Sequence, residues 1–134
     1  MTPPTILIVD DSRENADILR RYLDLRGYAT RVAHNADQAL ALFDTERPAL
    51  VLLDVLMPGR DGWAVCRAMR EHPHGARSRI VMLTGLGTQR AREETAATGA
   101  DELLAKPVDL SDLLACVRRN LGVDAVGVSP NEMP

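Results

Sequence analysis

Leu50-Val51-Leu52-Leu53-Asp54 is the stretch that decides the fold. Four apolar residues in succession, with no polar residue alternating between them, describe a strand covered on both faces. Such strands belong to parallel sheets flanked by helices. The run ends on an acid, and three others end on polar groups as well. Ile6-Leu7-Ile8-Val9 leads to Asp10-Asp11, Ile80-Val81-Met82-Leu83 leads to Thr84, and the short segment from Glu102 to Ala105 leads to Lys106-Pro107. Lys106 stands out in composition, because the other fifteen of the sixteen basic residues are arginine. A single lysine in so biased a chain implies a need for a compact ammonium rather than a planar fork.

Helical periodicity fills the intervals. Asp11 or Ser12 can cap a first helix, Asp11-x-x-Glu14 has the form of a capping box, and Ala16, Leu19 and Leu23 recur on one face until Gly27. Tyr28 to Ala33 reads as a modest strand, and Asn35-x-x-Gln38 opens a second helix that lasts until Pro48. A third helix is expected from about Trp63 to Glu71 and a weaker, Ala-rich one over about Gln89 to Thr98. The last is capped by Asp109 or Ser111 and runs to about Leu121. Five repeats of strand then helix, joined by right-handed crossovers, leave few topologies. The expected one is an α/β fold, a doubly wound five-stranded parallel sheet of order 2-1-3-4-5 with five helices. Residues 1–122 form the domain. Residues 123–134 lack periodicity and read as a flexible tail or a truncated linker, too short for an output domain.

In such a sheet ligands bind beyond the carboxyl ends of the strands, near the point where the strand order reverses. Asp10, Asp11, Asp54, Thr84 and Lys106 would therefore converge there. Three carboxylates in one pocket repel: at ~5 Å and an effective dielectric of ~20, each pair costs about 3 kcal/mol. Either one is protonated or a cation sits among them. Hard oxygen donors in a sparse protein cage favour Mg²⁺, and three carboxylates, one ammonium and one divalent ion sum to zero. Thr84 adds a hydroxyl for an incoming oxyanion. A metal, an ammonium and a hydroxyl around one carboxylate suit phosphoryl transfer, in which positioning and charge stabilisation do most of the catalysis. Asp54, on the central strand of the set, is the natural nucleophile.

These motifs, taken in order from Ile6 to Pro107, resemble the receiver domain of two-component response regulators, in particular the single-domain, chemotaxis-regulator-like type. They are Ile-Leu-Ile-Val-Asp10-Asp11, Asp54-Val-Leu-Met57-Pro58-Gly59-Arg-Asp61-Gly62, Met-Leu-Thr84-Gly85 and Gly99-Ala-Asp-Glu-Leu-Leu-Ala-Lys106-Pro107, and the resemblance spans about Thr5 to Leu121. It implies a flavodoxin-like fold and a phosphoacceptor switch, not an enzyme acting on a separate substrate. Asp54 would take a phosphoryl group from a phosphohistidine on a sensor histidine kinase or phosphotransfer protein. Asp11, Asp54 and the backbone carbonyl of Leu56 would bind Mg²⁺, with Asp10 acting through water. Thr84 and Lys106 would hold the phosphoryl oxygens, with Lys106-Pro107 a cis peptide. Phosphorylation would pull Thr84 inward and repack the face made by the fourth helix, fifth strand and fifth helix. That face would meet a downstream protein target or an output domain outside these residues.

The pattern departs from the family at two places. The switch aromatic often found three residues before the lysine is Leu103 here, which implies a muted or differently routed response. The positions two residues after Asp54 and Thr84 are Leu56 and Leu86, neither able to hydrogen-bond an attacking water, which implies slow self-dephosphorylation. Met57-Pro58 and Gly62 read as structural parts of a sharp loop, Trp63 as a packing residue, and Gly85-Leu-Gly87 as a mobile connection too short for a nucleotide fingerprint.

Composition limits the alternatives. A net charge of −3 without a basic stripe argues against direct nucleic-acid binding. No apolar stretch approaches the roughly 20 residues of a membrane span. Arg20-Arg21 and Arg118-Arg119 read as solvated helix faces. Cys66 and Cys116, without CxxC spacing, read as buried apolar residues in a reducing cytoplasm, and His72-Pro73-His74 as a surface turn. An aspartyl-phosphate phosphatase of the haloacid-dehalogenase type would want Asp-x-Asp on its first strand and a cap domain. A flavodoxin-like cofactor domain would want more than 3% aromatic residues.

Overall fold

The apolar runs become β1 (Thr5–Val9), β2 (Ala29–Ala33), β3 (Leu50–Asp54), β4 (Arg79–Thr84) and β5 (Glu102–Ala105). They pair in parallel in the order β2-β1-β3-β4-β5. Between and after them lie α1 (Arg13–Leu25), α2 (Ala36–Glu46), α3 (Gly62–Glu71), α4 (Gln89–Ala97) and α5 (Leu110–Leu121), with a 3₁₀ turn at Gly75–Arg77 after α3. The structure is a computed structural model that describes residues 4–122 apart from 58, 60 and 86. The expectations for residues 123–134, Pro58 and Leu86 lie outside the described residues. Among those described, no helix is long and apolar enough to cross a membrane.

All five residues of β3 are buried, because its alternate side chains feed two separate layers. Leu50 and Leu52, with Ile6, Ile8, Val81 and Leu83, pack against Leu19 and Leu23 of α1 and Leu113 and Val117 of α5. Val51 and Leu53, with Leu7, Val9, Ile80 and Met82, face Phe43 of α2 and Val65, Cys66 and Met69 of α3. Each fully buried Leu, Ile or Val contributes about 1.5–3 kcal/mol, so the central strands are the most firmly held part of the molecule. The fourth helix is the exception. It buries only Ala91 and Thr95 and is tied to α3 by side chains: Trp63 Nε1–H donates to Thr95 Oγ1 at 3.1 Å, and Arg67 pairs with Glu94 at 2.5 Å. Trp63 is thus the packing residue that was expected.

The helix starts sort the alternatives left by the sequence. Ser12, not Asp11, caps α1 by accepting the Asn15 N–H, because Asp11 already belongs to the strand-end turn. Asn35 caps α2 by accepting the Gln38 N–H, while Gln38 Oε1 reaches past it to the His34 N–H. Asp109, not Ser111, caps α5. Gly27 and Gly99 take φ of +90° just after α1 and α4, the left-handed turn that a glycine allows. Both cysteines are buried and free. Burial pushes the Cys66 thiol up, and burial with Glu102 nearby pushes Cys116 up to about 12, so both behave as small apolar groups. His72 and His74 occupy a turn, but their rings fold back onto Phe43, and His74 Nε2 meets the Phe43 carbonyl at 2.8 Å.

Two long-range features go beyond the sequence reading, the partners of Arg70 and the reason for Gly62. The Arg70 guanidinium donates to the carbonyls of Gly99, Gly75 and Ser78 and to Asp101 Oδ2, at 2.6 to 2.7 Å. It ties the end of α3 to the start of β4 and to the α4–β5 turn. Gly62 is required for space and not for an unusual turn, since it has no positive φ. A Cβ there would lie 2.3 Å from the Asp54 carbonyl oxygen and 2.8 Å from Val55 Cα. Because the obstacle is backbone, Gly62→Ala is expected to cost about 2–3 kcal/mol, read as a lower urea midpoint with an unchanged slope. An unchanged midpoint would show that the loop yields freely.

Candidate functional site

The parallel register carries the polar strand ends to one edge of the sheet. Val9 pairs with Leu53, Asp54 with Leu83 and Thr84 with Ala105. Asp10, Asp54, Thr84 and Lys106 therefore sit at or one residue beyond the last pairs of four adjacent strands. Three of the expected residues form a cluster: one carboxylate oxygen from each of Asp10, Asp11 and Asp54 lies within 4.8 Å of the others. Asp10 and Asp54 are buried and Asp11 is exposed. Lys106 Nζ lies 3.1 Å from Asp54 Oδ1 and 3.7 Å from Asp10 Oδ2. Thr84 is buried at the end of β4, and its carbonyl accepts the Lys106 N–H at 2.8 Å, which anchors the lysine's backbone to the same edge. The Lys106-Pro107 peptide is cis.

Each carboxylate is held by the backbone around it. Asp10 Oδ1 accepts the Ser12 N–H at 2.9 Å, and Asp54 Oδ1 accepts the Leu56 N–H at 3.2 Å. The Leu56 side chain is largely exposed above this turn, at 57%, leaving an apolar group beside Asp54 and no hydrogen-bonding side chain at that position. Burial pushes the Asp10 carboxyl above its usual range, opposed by the Ser12 N–H and Lys106 and reinforced by Asp54 and Asp11.

The donor set suits a hard divalent cation: three carboxylates close enough to share one ion, with a single ammonium between two of them. An apolar groove of about 590 Å³ opens from Asp10 and Lys106 and runs between α1 and the β5–α5 connection, past Asn15, Ile18, Pro107, Val108 and Leu110.

The sequence did not single out His34. Its Nδ1 lies 3.0 Å from the Asp10 carbonyl oxygen, so it touches the backbone of the acidic cluster from the position just after β2. The strand order was the signal that could have found it, since it puts the end of the second strand beside Asp10.

A doubly wound parallel sheet that gathers three acids and one lysine at its carboxyl edge defines the receiver type of signalling domain. The sequence comparison agrees: the family model for the response regulator receiver domain matches residues 6–118, and the chain belongs to that family. Response regulator MprA of Mycolicibacterium vanbaalenii is 40% identical over 116 residues, 87% of this chain and 49% of that protein. MprA of Mycobacterium avium is 40% identical over 113 residues, 84% and 49%. The chain thus spans about half the length of these relatives. Among solved structures, chemotaxis protein CheY4 of Vibrio cholerae superposes with a TM-score of 0.84 at 29% identity, covering 88% of this chain and 98% of that one. A CheY-like receiver domain protein of Methanospirillum hungatei JF-1 gives 0.84 at 28% identity, covering 90% and 95%.

A carboxyl whose pKa is raised by folding binds its proton more tightly in the folded state. Its contribution to stability is therefore largest at low pH and is lost as pH rises through the folded value. At pH 7 without divalent cations, ionised Asp10 works against the fold. Asp10→Asn keeps the Ser12 contact through its Oδ1 and removes that charge, so its melting temperature is expected to rise by about 3–6 °C, a stabilisation of about 1 kcal/mol. The gain should shrink toward pH 4. A lower melting temperature for the variant at pH 7 would mean that the Lys106 pairing outweighs burial.

Proposed function

We propose that residues 1–122 form a phosphoacceptor switch in which Asp54 accepts a phosphoryl group from the phosphohistidine of a sensor histidine kinase or phosphotransfer protein. The observation that carries this reading is the Lys106 ammonium 3.1 Å from Asp54 within a three-carboxylate cluster. An Asp54 carboxylate oxygen attacks phosphorus, the O–P bond forms as the P–N bond breaks, and the electron pair leaves with the donor imidazole. Lys106, paired with Asp54 before transfer, moves onto a phosphoryl oxygen as negative charge shifts outward. The Thr84 hydroxyl, at the adjacent strand end, binds another. Asp11, Asp54 and the carbonyl of Leu56 would hold Mg²⁺, with Asp10 acting through water, and the ion would neutralise charge on the phosphoryl oxygens. The groove along α1 and the β5–α5 connection offers a donor protein an apolar seat that runs up to Asp10 and Lys106.

The switch is a local charge change that biases a less firmly held element. Recruitment of Thr84 draws on the β4–α4 connection, and α4 buries little, so the α4-β5-α5 face is the surface that would change for a downstream protein target or an output domain. Leu103, half-buried on β5 and packed against the α2–α3 layer, offers neither a hydroxyl nor a large ring to follow Thr84. The response is correspondingly smaller or differently routed. Such a switch works in the cytoplasm, where kinase and target meet it.

The decisive measurement is intact mass after incubation with Mg²⁺ and acetyl phosphate. One added phosphoryl group is expected, absent in Asp54→Ala and in EDTA. Modification that persists in Asp54→Ala would move the acceptor elsewhere. With Leu56 unable to orient water, phospho-Asp54 should decay over many minutes in Mg²⁺ at neutral pH, and a lifetime of seconds would contradict this.

A further inference from the structure

The backbone of Asp10 is gripped on both sides by the last residue of β2 and the one after it. Its N–H donates to the Ala33 carbonyl at 3.0 Å, and its carbonyl oxygen lies 3.0 Å from His34 Nδ1. A carbonyl only accepts, so Nδ1 carries the proton in this contact. His34 is itself fixed, because its backbone N–H donates to Gln38 Oε1 at 2.8 Å, on the first turn of α2. The carbonyl that His34 holds belongs to the Asp10–Asp11 peptide. The plane of that peptide sets the direction in which Asp11 leaves the chain. Asp11 is the exposed member of the cluster, and among the described residues no hydrogen bond or ion pair holds its side chain. Three like charges within 4.8 Å favour any rotation that carries the least constrained one away. Asp10 and Asp54 are tied by Ser12, Leu56 and Lys106, so the backbone under Asp11 is where the cluster can open.

We infer that His34 is a positioning residue for the acidic cluster: its imidazole N–H locks the Asp10–Asp11 peptide so that the Asp11 carboxylate stays beside Asp10 and Asp54 for a divalent cation. This rests on the reading of the cluster as a cation site. Residues that orient metal-binding groups from behind commonly account for one to two orders of magnitude in affinity. An asparagine at this position carries its amide N–H on the same δ position as Nδ1, so it can replace the ring.

The test is Mn²⁺ titration of the full chain, with free Mn²⁺ followed by electron paramagnetic resonance, for wild type, His34→Ala, His34→Asn and Asp11→Ala. The apo melting temperature of each variant is measured alongside. Wild type should bind, and Asp11→Ala should lose most binding. His34→Ala should raise the dissociation constant about 10-fold or more, and His34→Asn should return it to within about twofold of wild type. Wild-type affinity in His34→Ala, or an Asn variant as weak as the Ala one, would overturn the inference while leaving the cation site intact. Equal Mn²⁺ behaviour of wild type and Asp11→Ala would instead remove the cation-site reading, and the inference with it.

Discussion

Everything at the carboxyl edge of the sheet depends on one ammonium among acids. With carboxylate oxygens as far apart as 4.8 Å, each of the three repulsive pairs costs roughly 3–4 kcal/mol at an effective dielectric of 20. Lys106, at 3.1 Å from Asp54 and 3.7 Å from Asp10, returns roughly 4.5–5.5 kcal/mol for each contact on the same basis. Attraction and repulsion therefore nearly cancel, and the burial of Asp10 and Asp54 is left over as an uncompensated cost. The upward displacement of the Asp10 carboxyl is the visible trace of that residue. A site balanced in this way accepts further positive charge readily, and it responds to any change in the charge on Asp54.

Such a site can exist only on a scaffold that does not yield. The acids sit at the ends of β1 and β3, whose residues from Ile6 to Val9 and from Leu50 to Leu53 are fully buried. The loops beyond them are pinned by close packing. Gly62 approaches the Asp54 carbonyl so closely that no side chain fits between them, and its N–H donates to the Val55 carbonyl at 2.7 Å. On the opposite side Ala33 and His34 hold the backbone of Asp10. The strain of gathered charge is therefore borne by the side chains and not relieved by the backbone, which is what preorganisation requires.

The sheet was legible in the sequence because its signal is local. Unbroken apolar runs such as Leu50–Leu53 admit one environment, and polar residues at their ends admit one edge, so strand order and the Asp10, Asp54 and Lys106 cluster followed together. Helix ends were legible to within a residue or two, where caps compete: Ser12 against Asp11, Asp109 against Ser111. What escaped depends on contacts between residues distant in the chain. His34 touches a carbonyl 24 residues away, and Arg70 bonds the Gly99 carbonyl 29 residues on. Gly62 looked like a turn residue and proved to be a spacer, a distinction that only the position of the Asp54 carbonyl can make. The His72-Pro73-His74 turn hid its packing on Phe43 for the same reason.

The uneven holding of the helices bears on how a change at Asp54 can travel. Ala91 and Thr95 are the only residues that α4 buries, whereas α5 buries Leu113, Leu114, Cys116 and Val117. The links between α4 and α3 are polar: the Trp63–Thr95 hydrogen bond and the half-exposed Arg67–Glu94 pair. Polar links of this kind net about 1 kcal/mol or less each, whereas moving α5 would disrupt a whole apolar layer. In the proposed switch, energy released at Thr84 would therefore find its least resisted route through α4. Since β5 carries Leu103 where an inward-turning aromatic would add a second route, the proposed switch would lean on that helix and its tether to Trp63.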